Sequence, residues 1–297
     1  MSQIITISLF FAFLSPVLWA LMDLIDEYVI DNKARHPLGF AFLAGMINAL
    51  FGIILALFLS WGDFAWKNYW PAMTSGIFLG IQFLLYFWML KKDDVSNVIG
   101  FSYFYPILVA ILSFLFLREV VTVPIYLGMG LIMVGIALLY LHAIKTKLKM
   151  ALWIIFSYAL AIAFYEFFIK VSTNNISEIN GLAVSSIFLG LAIFPLIFFR
   201  KIRTQIRYEF KNIRWAVLSE AFTISAVFAT YLAMKNLPAT VVSSLQATQP
   251  LLVLGFEKIA NKKRILRSQD TKFSQKFIAI IFIVVGVILM YVFEVFN

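Results

Sequence analysis

Ten runs of about 20 mostly apolar residues, each long enough to span a bilayer as a helix, follow one another through the chain. The connectors between them are too short to fold as separate domains. With 63% hydrophobic and 13% charged residues, the chain is too apolar for a water-soluble domain. The sequence therefore predicts an all-α membrane protein, one polytopic domain over 1–297, with ten transmembrane helices near 5–27, 38–60, 71–90, 96–117, 123–141, 150–171, 180–199, 214–235, 238–258 and 276–294.

The residue patterns of enzymes and metal proteins are missing from the sequence. Cysteine is absent, and His36 and His142 lie at span ends without a second ligand at metal-binding spacing. The sequence has no glycine-rich phosphate loop and no Ser/His/Asp set at membrane depth. We therefore expect a protein that is not an enzyme, with no catalytic residues, no metal and no cofactor.

The basic residues are concentrated on one side of the predicted membrane. Loops after odd-numbered spans hold 20 of the 24 lysines and arginines, mainly in the runs 200–214 and 258–276, which we interpret as solvated loops. The positive-inside rule places these loops in the cytoplasm and both termini outside, in a multi-pass protein of the plasma (inner) membrane. A basic face also suits anionic lipid, so we expect the bilayer and not nucleic acid as the partner. No basic stretch precedes the first span, which we expect to be retained.

The chain contains two copies of one unit. At a shift of 144 residues, 70–106 aligns with 214–250 without a gap. At a shift of 151, VGIALLY at 134–140 matches VGVILMY at 285–291, and the extra residues fall in a basic loop. Internal repeats of this kind predict two related structural units.

The boundaries of the repeats predict their relative orientation. We divide the chain into a first five-helix repeat, 5–141, and a second, 150–294. Because five is odd, the second repeat enters the membrane from the opposite side. The two must then be inverted, as in many secondary transporters whose substrate sites lie between the halves.

Several short motifs resemble the drug/metabolite transporter superfamily, of the EamA-like ten-helix type. Pro106–Glu119 contains an intramembrane proline followed by an apolar run and L-x-E, Gly128 and Gly135 form G-x-x-x-x-x-x-G, and Trp19 lies in the first span. The resemblance implies a central cavity lined by spans 1, 3, 4, 6, 8 and 9. It also implies cytoplasmic termini, which conflicts with the charge distribution. In the second repeat, KKR at 262–264 replaces the expected Glu.

Polar and aromatic side chains at membrane depth mark the predicted substrate site, because they are costly in lipid unless they face protein or a cavity. Pro106 and Pro250, which align in the two repeats, interrupt helix interiors and free backbone carbonyls. We interpret them as twin hinges between an aromatic and an amide-rich wall; the alternative is that they only kink packed helices. The predicted substrate-binding residues are Trp19, Gln82, Tyr86, Phe101, Ser102, Tyr105, Tyr165, Thr223, Tyr231, Gln246 and Gln249.

Three carboxyl groups within the spans, those of Asp23, Glu166 and Glu220, are predicted to couple or gate transport. A carboxyl group in a membrane must be paired, solvated in a cavity or protonated. Asp23 aligns with Glu166 at a shift of 143, so inversion places the two at opposite depths, which suits gates or a proton relay. The alternative is that each carboxyl is a structural partner of a tyrosine or a lysine.

The leading functional hypothesis is an alternating-access secondary transporter for a small organic metabolite. Aromatic faces and buried acids favour an amphipathic solute, either cationic or zwitterionic. Two alternatives stay open: a flippase for lipid or lipid-linked sugar, and a membrane-embedded enzyme or non-transporting receptor. The sequence leaves open the substrate's identity, the direction of transport, proton coupling, and the choice between monomer and homodimer.

Overall fold

The computed structural model describes residues 2–61, 65–91, 104–119, 122–147, 152–262 and 273–295. Within these ranges the elements are helices and connecting turns, without a strand. The predicted all-α class is thereby confirmed for the part of the chain that is described.

The helices begin and end as follows. In chain order the helices are α1 Ser2–Asn32, α2 Pro37–Phe58, α3 Trp66–Leu90, α4 Tyr105–Leu112, α5 Val123–Lys147, α6 Leu152–Thr173, α7 Glu178–Ile193, α8 Arg200–Glu209, α9 Ile213–Met234, α10 Ala239–Gln246, α11 Gln249–Lys262 and α12 Phe273–Val295. A π-helical turn, Ser113–Leu117, extends α4, and 3₁₀ turns, Phe194–Phe198 and Phe210–Asn212, flank α8.

Many of these helices have the length and composition of membrane spans. Among the described residues, six are long and apolar enough to cross a bilayer, and shorter apolar helices cover Tyr105–Leu117, Val123–Leu138 and Ile278–Met290. The chain is therefore a multi-pass helical membrane protein. The predicted count of ten spans stays a prediction, because 92–103 and 263–272 lie outside the described residues.

The basic run at 200–214 is not a loop, and here the sequence interpretation was wrong. Arg200–Glu209 forms α8, and the next helix begins at Ile213. Ile202 and Ile206 are half-buried, four residues apart on one side of α8, whereas Arg203 is exposed. An amphipathic helix with such a polar face is stable at the surface of a bundle, because only its apolar stripe needs to pack.

Helices α5 and α12 pack closely through small residues. A side-chain carbon added at Gly128 would lie 2.7 Å from the carbonyl oxygen of Gly286, and one added at Gly135 would lie 2.7 Å from that of Ala279. Glycine therefore lets the two backbones touch, as is common between membrane helices. Because the partner numbers fall as the α5 numbers rise, α12 runs antiparallel to α5.

The bundle has two ends, which we name by their residues. The basic end holds Lys33 and α8, and there the side-chain amide of Asn212 donates to the Lys33 carbonyl oxygen at 3.4 Å. The latch end holds Glu119, Lys170 and the turn 235–238 after α9. Helix α1 begins near the latch end, since the Asn236 amide donates to the Ser8 hydroxyl at 2.9 Å.

The charge distribution predicts which end faces the cytoplasm. Since α1 begins and α12 ends at the latch end, both termini are expected outside the cell and the basic end inside. A C-terminal alkaline phosphatase fusion should then be active, and a C-terminal green fluorescent protein fusion dark. Fusions after Lys211 provide the control and should behave in the opposite way. A bright C-terminal fusion would show that the usual family orientation prevails over the charge distribution.

Candidate functional site

A cavity lies between the helices near the middle of the bundle. Its volume is about 40 Å³, enough for a few water molecules but much less than the several hundred Å³ of a typical ligand pocket. The cavity is thus nearly closed in this conformation. Its wall comes from α1, α3, α4, α6, α10 and α11 and consists of Trp19, Met22, Asp23, Gln82, Phe83, Tyr86, Tyr105, Tyr158, Ile162, Tyr165, Glu166, Gln246 and Gln249.

Two helices, α4 and α11, begin at this cavity, and we call them the half-helices. Helix α10 ends at Gln246, two residues form a turn, and α11 begins at Gln249. Pro250 is the second residue of α11, and Pro106 is the second residue of α4. Proline is accepted in a first helical turn, where its missing N–H would have no partner within the helix. Each proline therefore stands at a helix start inside the predicted membrane depth.

Each of the two carboxyl groups in the wall lies beside the first residue of a half-helix. The Gln249 side-chain amide donates to Asp23 Oδ2 at 2.5 Å. The Tyr105 hydroxyl donates to the Ser243 carbonyl oxygen at 3.4 Å and also faces the Glu166 carboxyl. Asp23 and Glu166 are 2% and 1% exposed. Because a helix N-terminus carries a partial positive charge, both positions favour a negative group.

The remainder of the wall is uncharged and mostly aromatic. Tyrosine hydroxyl groups converge on the acids and amides: that of Tyr86 faces Asp23, and that of Tyr158 faces Gln82. Trp19 adds an indole ring. No lysine, arginine or histidine belongs to the described wall, which is therefore acidic and largely aromatic.

A buried polar cluster joins α1, α9 and α10 on the latch-end side of the cavity. The Ser15 and Thr230 hydroxyl oxygens lie 2.9 Å apart, and the Gln246 amide donates to them at 3.0 and 2.8 Å. All three side chains are buried. We call this cluster the polar plug, because its hydrogen bonds hold the three helices together at this depth.

The latch end is further closed by an ion pair and its neighbours. The Lys170 ammonium donates to the carbonyl oxygens of Met234 and Leu237, both at 2.8 Å. It also lies 3.8 Å from the Glu119 carboxylate, which accepts the backbone N–H of Ala239 at 3.0 Å. Burial raises the pKa of Glu119, whereas Lys170 opposes that rise. The ends of α6, α9 and α10 are thus fixed to the segment that follows α4.

Some predicted site residues lie outside the cavity wall. Glu220 is fully buried between α2 and α9 and accepts the side-chain amide of Asn48 at 2.6 Å. The Thr223 hydroxyl donates to a backbone carbonyl of its own helix, and the Tyr231 ring packs against Gly181. Phe101 and Ser102 lie outside the described residues. The structure therefore does not bring Glu220, Thr223 and Tyr231 to the cavity.

Four wall residues were not predicted from the sequence, namely Met22, Phe83, Tyr158 and Ile162. The repeat contained a signal for two of them. At the shift of 143 that aligns Asp23 with Glu166, Ile162 aligns with Trp19. Met22 aligns with Tyr165 at the same shift. Applying the repeat to every candidate would have added both residues to the predicted site.

A family model agrees with this architecture. The model of the EamA-like transporter family matches residues 6–141 and, a second time, residues 149–292. The chain belongs to the EamA-like transporter family. The resemblance inferred from the motifs is thereby confirmed, and the EamA-like family points to a membrane transporter rather than an enzyme.

One relative and one solved structure are similar to this chain, and neither is described with a substrate. The EamA-like chain is 38% identical, over 68 residues, to an uncharacterised protein of Methanocaldococcus jannaschii. That match covers 23% of this chain and half the length of the relative. A solved crystal structure shares the fold over 95% of both chains, with a TM-score of 0.68 and 17% identity.

Proposed function

We propose that this EamA-like protein is a secondary carrier that moves a small, cationic, amphipathic metabolite across the plasma (inner) membrane by alternating access. Its ten transmembrane helices would form two inverted five-helix repeats. The observation that carries the proposal is the cavity, where two buried carboxyl groups and several aromatic rings form a wall whose described residues include no basic side chain. Both features attract an organic cation.

The contacts of the two acids support inverted repeats. Asp23 aligns with Glu166 at a shift of 143, and Tyr105 aligns with Gln249 at a shift of 144. Asp23 contacts Gln249, and Glu166 faces Tyr105. Each acid therefore lies beside the start of the half-helix of the other repeat. Two equivalent contacts are what a pseudo-twofold axis between the repeats would generate.

An asymmetry between equivalent positions supports alternating access. In the polar plug, Ser15 is bonded to Thr230. Their counterparts in the other repeat, at shifts of 143 and 144, are Tyr158 and Tyr86, and both line the cavity. The same pair of positions is thus hydrogen-bonded in the polar plug on the latch-end side and lines the small cavity in the other repeat. Exchanging the two arrangements would move the cavity to the other side.

The acids also supply the means for proton coupling, which we include in the proposal. An organic cation and a proton would compete for the Asp23 and Glu166 carboxyl groups, so that release of one accompanies binding of the other. Glu220 and Asp26 form a second buried acidic region, in which Asp26 accepts the Ser219 hydroxyl at 2.6 Å. Neither forms an ion pair with a basic side chain among the described residues.

The substrate class is tested by matched ligands on the purified protein. Phenethylamine should raise the melting temperature, because a ligand that binds only the folded state stabilises it. Its neutral analogue phenethyl alcohol and the anion 3-phenylpropionate should have little effect. Stabilisation by the anion alone would contradict the proposed charge preference. Movement of labelled phospholipid in proteoliposomes, without amine transport, would favour the flippase alternative.

A further inference from the structure

The basic end carries a second concave surface, which transport through the central cavity does not explain. Helix α8 presents a shallow groove lined by Arg200, Arg203, Thr204 and Arg207. The three arginines are exposed. Their spacing of three and four residues places them on one face of the helix. We call this surface the arginine groove.

The opposite side of α8 is fixed to the bundle. The Glu209 carboxylate accepts the backbone N–H groups of Arg35 and His36 at 2.9 and 3.0 Å. A side-chain carbon added at Gly39 of α2 would lie 2.9 Å from the Gln205 carbonyl carbon, so the two backbones touch. The helix is therefore a fixed support, and the geometry of the arginine groove does not depend on a solvated loop.

The charges in the arginine groove are not balanced within the described part of the protein. None of the three guanidinium groups forms an ion pair with a described acidic residue. Three like charges along one helix face repel one another. Guanidinium groups bind phosphate oxygens through paired N–H donors, so a bound phosphate would offset the repulsion. The Thr204 hydroxyl in the same groove donates to the Arg200 carbonyl oxygen at 3.3 Å, so the arginines supply the donors for a phosphate.

The position of α8 identifies the source of the phosphate. Two spans flank α8, because α7 precedes it and α9 follows it. Phe198 and Phe199, directly before it, are 74% and 63% exposed, and Phe210, directly after it, is 58% exposed. A basic helix bordered by exposed aromatic residues lies at the level of the lipid headgroups. We propose that the arginine groove binds the phosphate headgroup of an anionic phospholipid on the basic side of the membrane.

The test compares two charge-matched double variants of the full-length protein. Arg203→Gln/Arg207→Gln removes two charges from the arginine groove, whereas Lys201→Gln/Lys211→Gln removes two exposed charges outside it. Binding of phosphatidylglycerol is measured by native mass spectrometry and by the melting temperature in mixed micelles. The groove variant should bind phosphatidylglycerol about tenfold more weakly or worse, because each basic residue near an anionic surface strengthens the attraction to it. The control variant should bind nearly as the natural chain does.

Two outcomes would overturn this proposal. An equal loss in both double variants would mean that the whole basic surface attracts lipid without a site. An equal stabilisation by inorganic phosphate and by phosphatidylglycerol would mean that the arginine groove takes a soluble anion. Arg203→Lys/Arg207→Lys gives a further check, because it keeps the charge and removes the forked donors. A site predicts an intermediate affinity for this variant, and affinity equal to that of the natural chain would also count against it.

Discussion

Replacing Asp23 by asparagine, or Glu166 by glutamine, should lower transport of an organic cation about 30-fold or more, because a buried charge pair that loses one partner costs 2 kcal/mol or more. Both carboxyl groups are buried, both belong to the cavity wall, and no basic side chain of the described wall competes for them. The measurement is uptake of a labelled amine into proteoliposomes at a fixed pH gradient.

The two carboxyl variants also separate binding from coupling. If a carboxylate binds the substrate, its variant should lose both uptake and exchange of labelled for unlabelled substrate. If it carries the coupling proton, exchange should persist while accumulation against a gradient is lost. Glu178→Gln is the control, because Glu178 forms a partly exposed ion pair with Lys235 at 2.8 Å, and such pairs contribute little. Full activity in both Asp23→Asn and Glu166→Gln would assign these carboxyl groups to structure alone.

The sequence predicted much of the fold because the membrane permits few solutions. A backbone in lipid must satisfy its own hydrogen bonds, so apolar runs of span length become helices. The basic run at 200–214 was predicted wrongly because it lies at the surface, where this constraint does not apply. Its helix α8 packs through an apolar stripe that includes Ile202 and Ile206, and an interpretation based on charge alone overlooks that stripe.

The candidate site was harder to predict than the fold. The proline break led to Tyr105 and Gln249, because a change in backbone direction is encoded locally. Glu220 and Tyr231 were grouped with them on polarity alone, yet their contacts lie between other helices. Polarity indicates that a side chain needs a partner, but only tertiary packing decides whether the partner is a cavity, an amide such as that of Asn48 or another helix.

The second large effect is expected from Pro250→Ala. Alanine restores an N–H at the start of α11, which could bond to the Gln246 carbonyl and join α10 to α11 as one helix. In the joined helix, position 250 would be interior, where proline costs roughly 3 kcal/mol. Alanine avoids this cost, so the joined helix should be stable and folding should survive or improve. Joining would turn Gln249 relative to Asp23 and shift Gln246 in the polar plug. Transport should therefore slow about tenfold or more, the rate cost of a conformational barrier raised by about 1.4 kcal/mol.

Pro106→Ala tests the same idea in the other repeat, where α4 begins beside Glu166. The comparison is melting temperature beside transport rate for both proline variants, with Pro124→Ala as the control. Pro124 lies in the first turn of α5, which packs against α12 away from the cavity wall. If the prolines are hinges, both hinge variants keep their melting temperature and lose rate, whereas the control keeps both. A large fall in melting temperature with unchanged turnover per folded molecule would assign the two prolines to the stability of the bundle. The repeated helix break would then serve packing and not movement between two states.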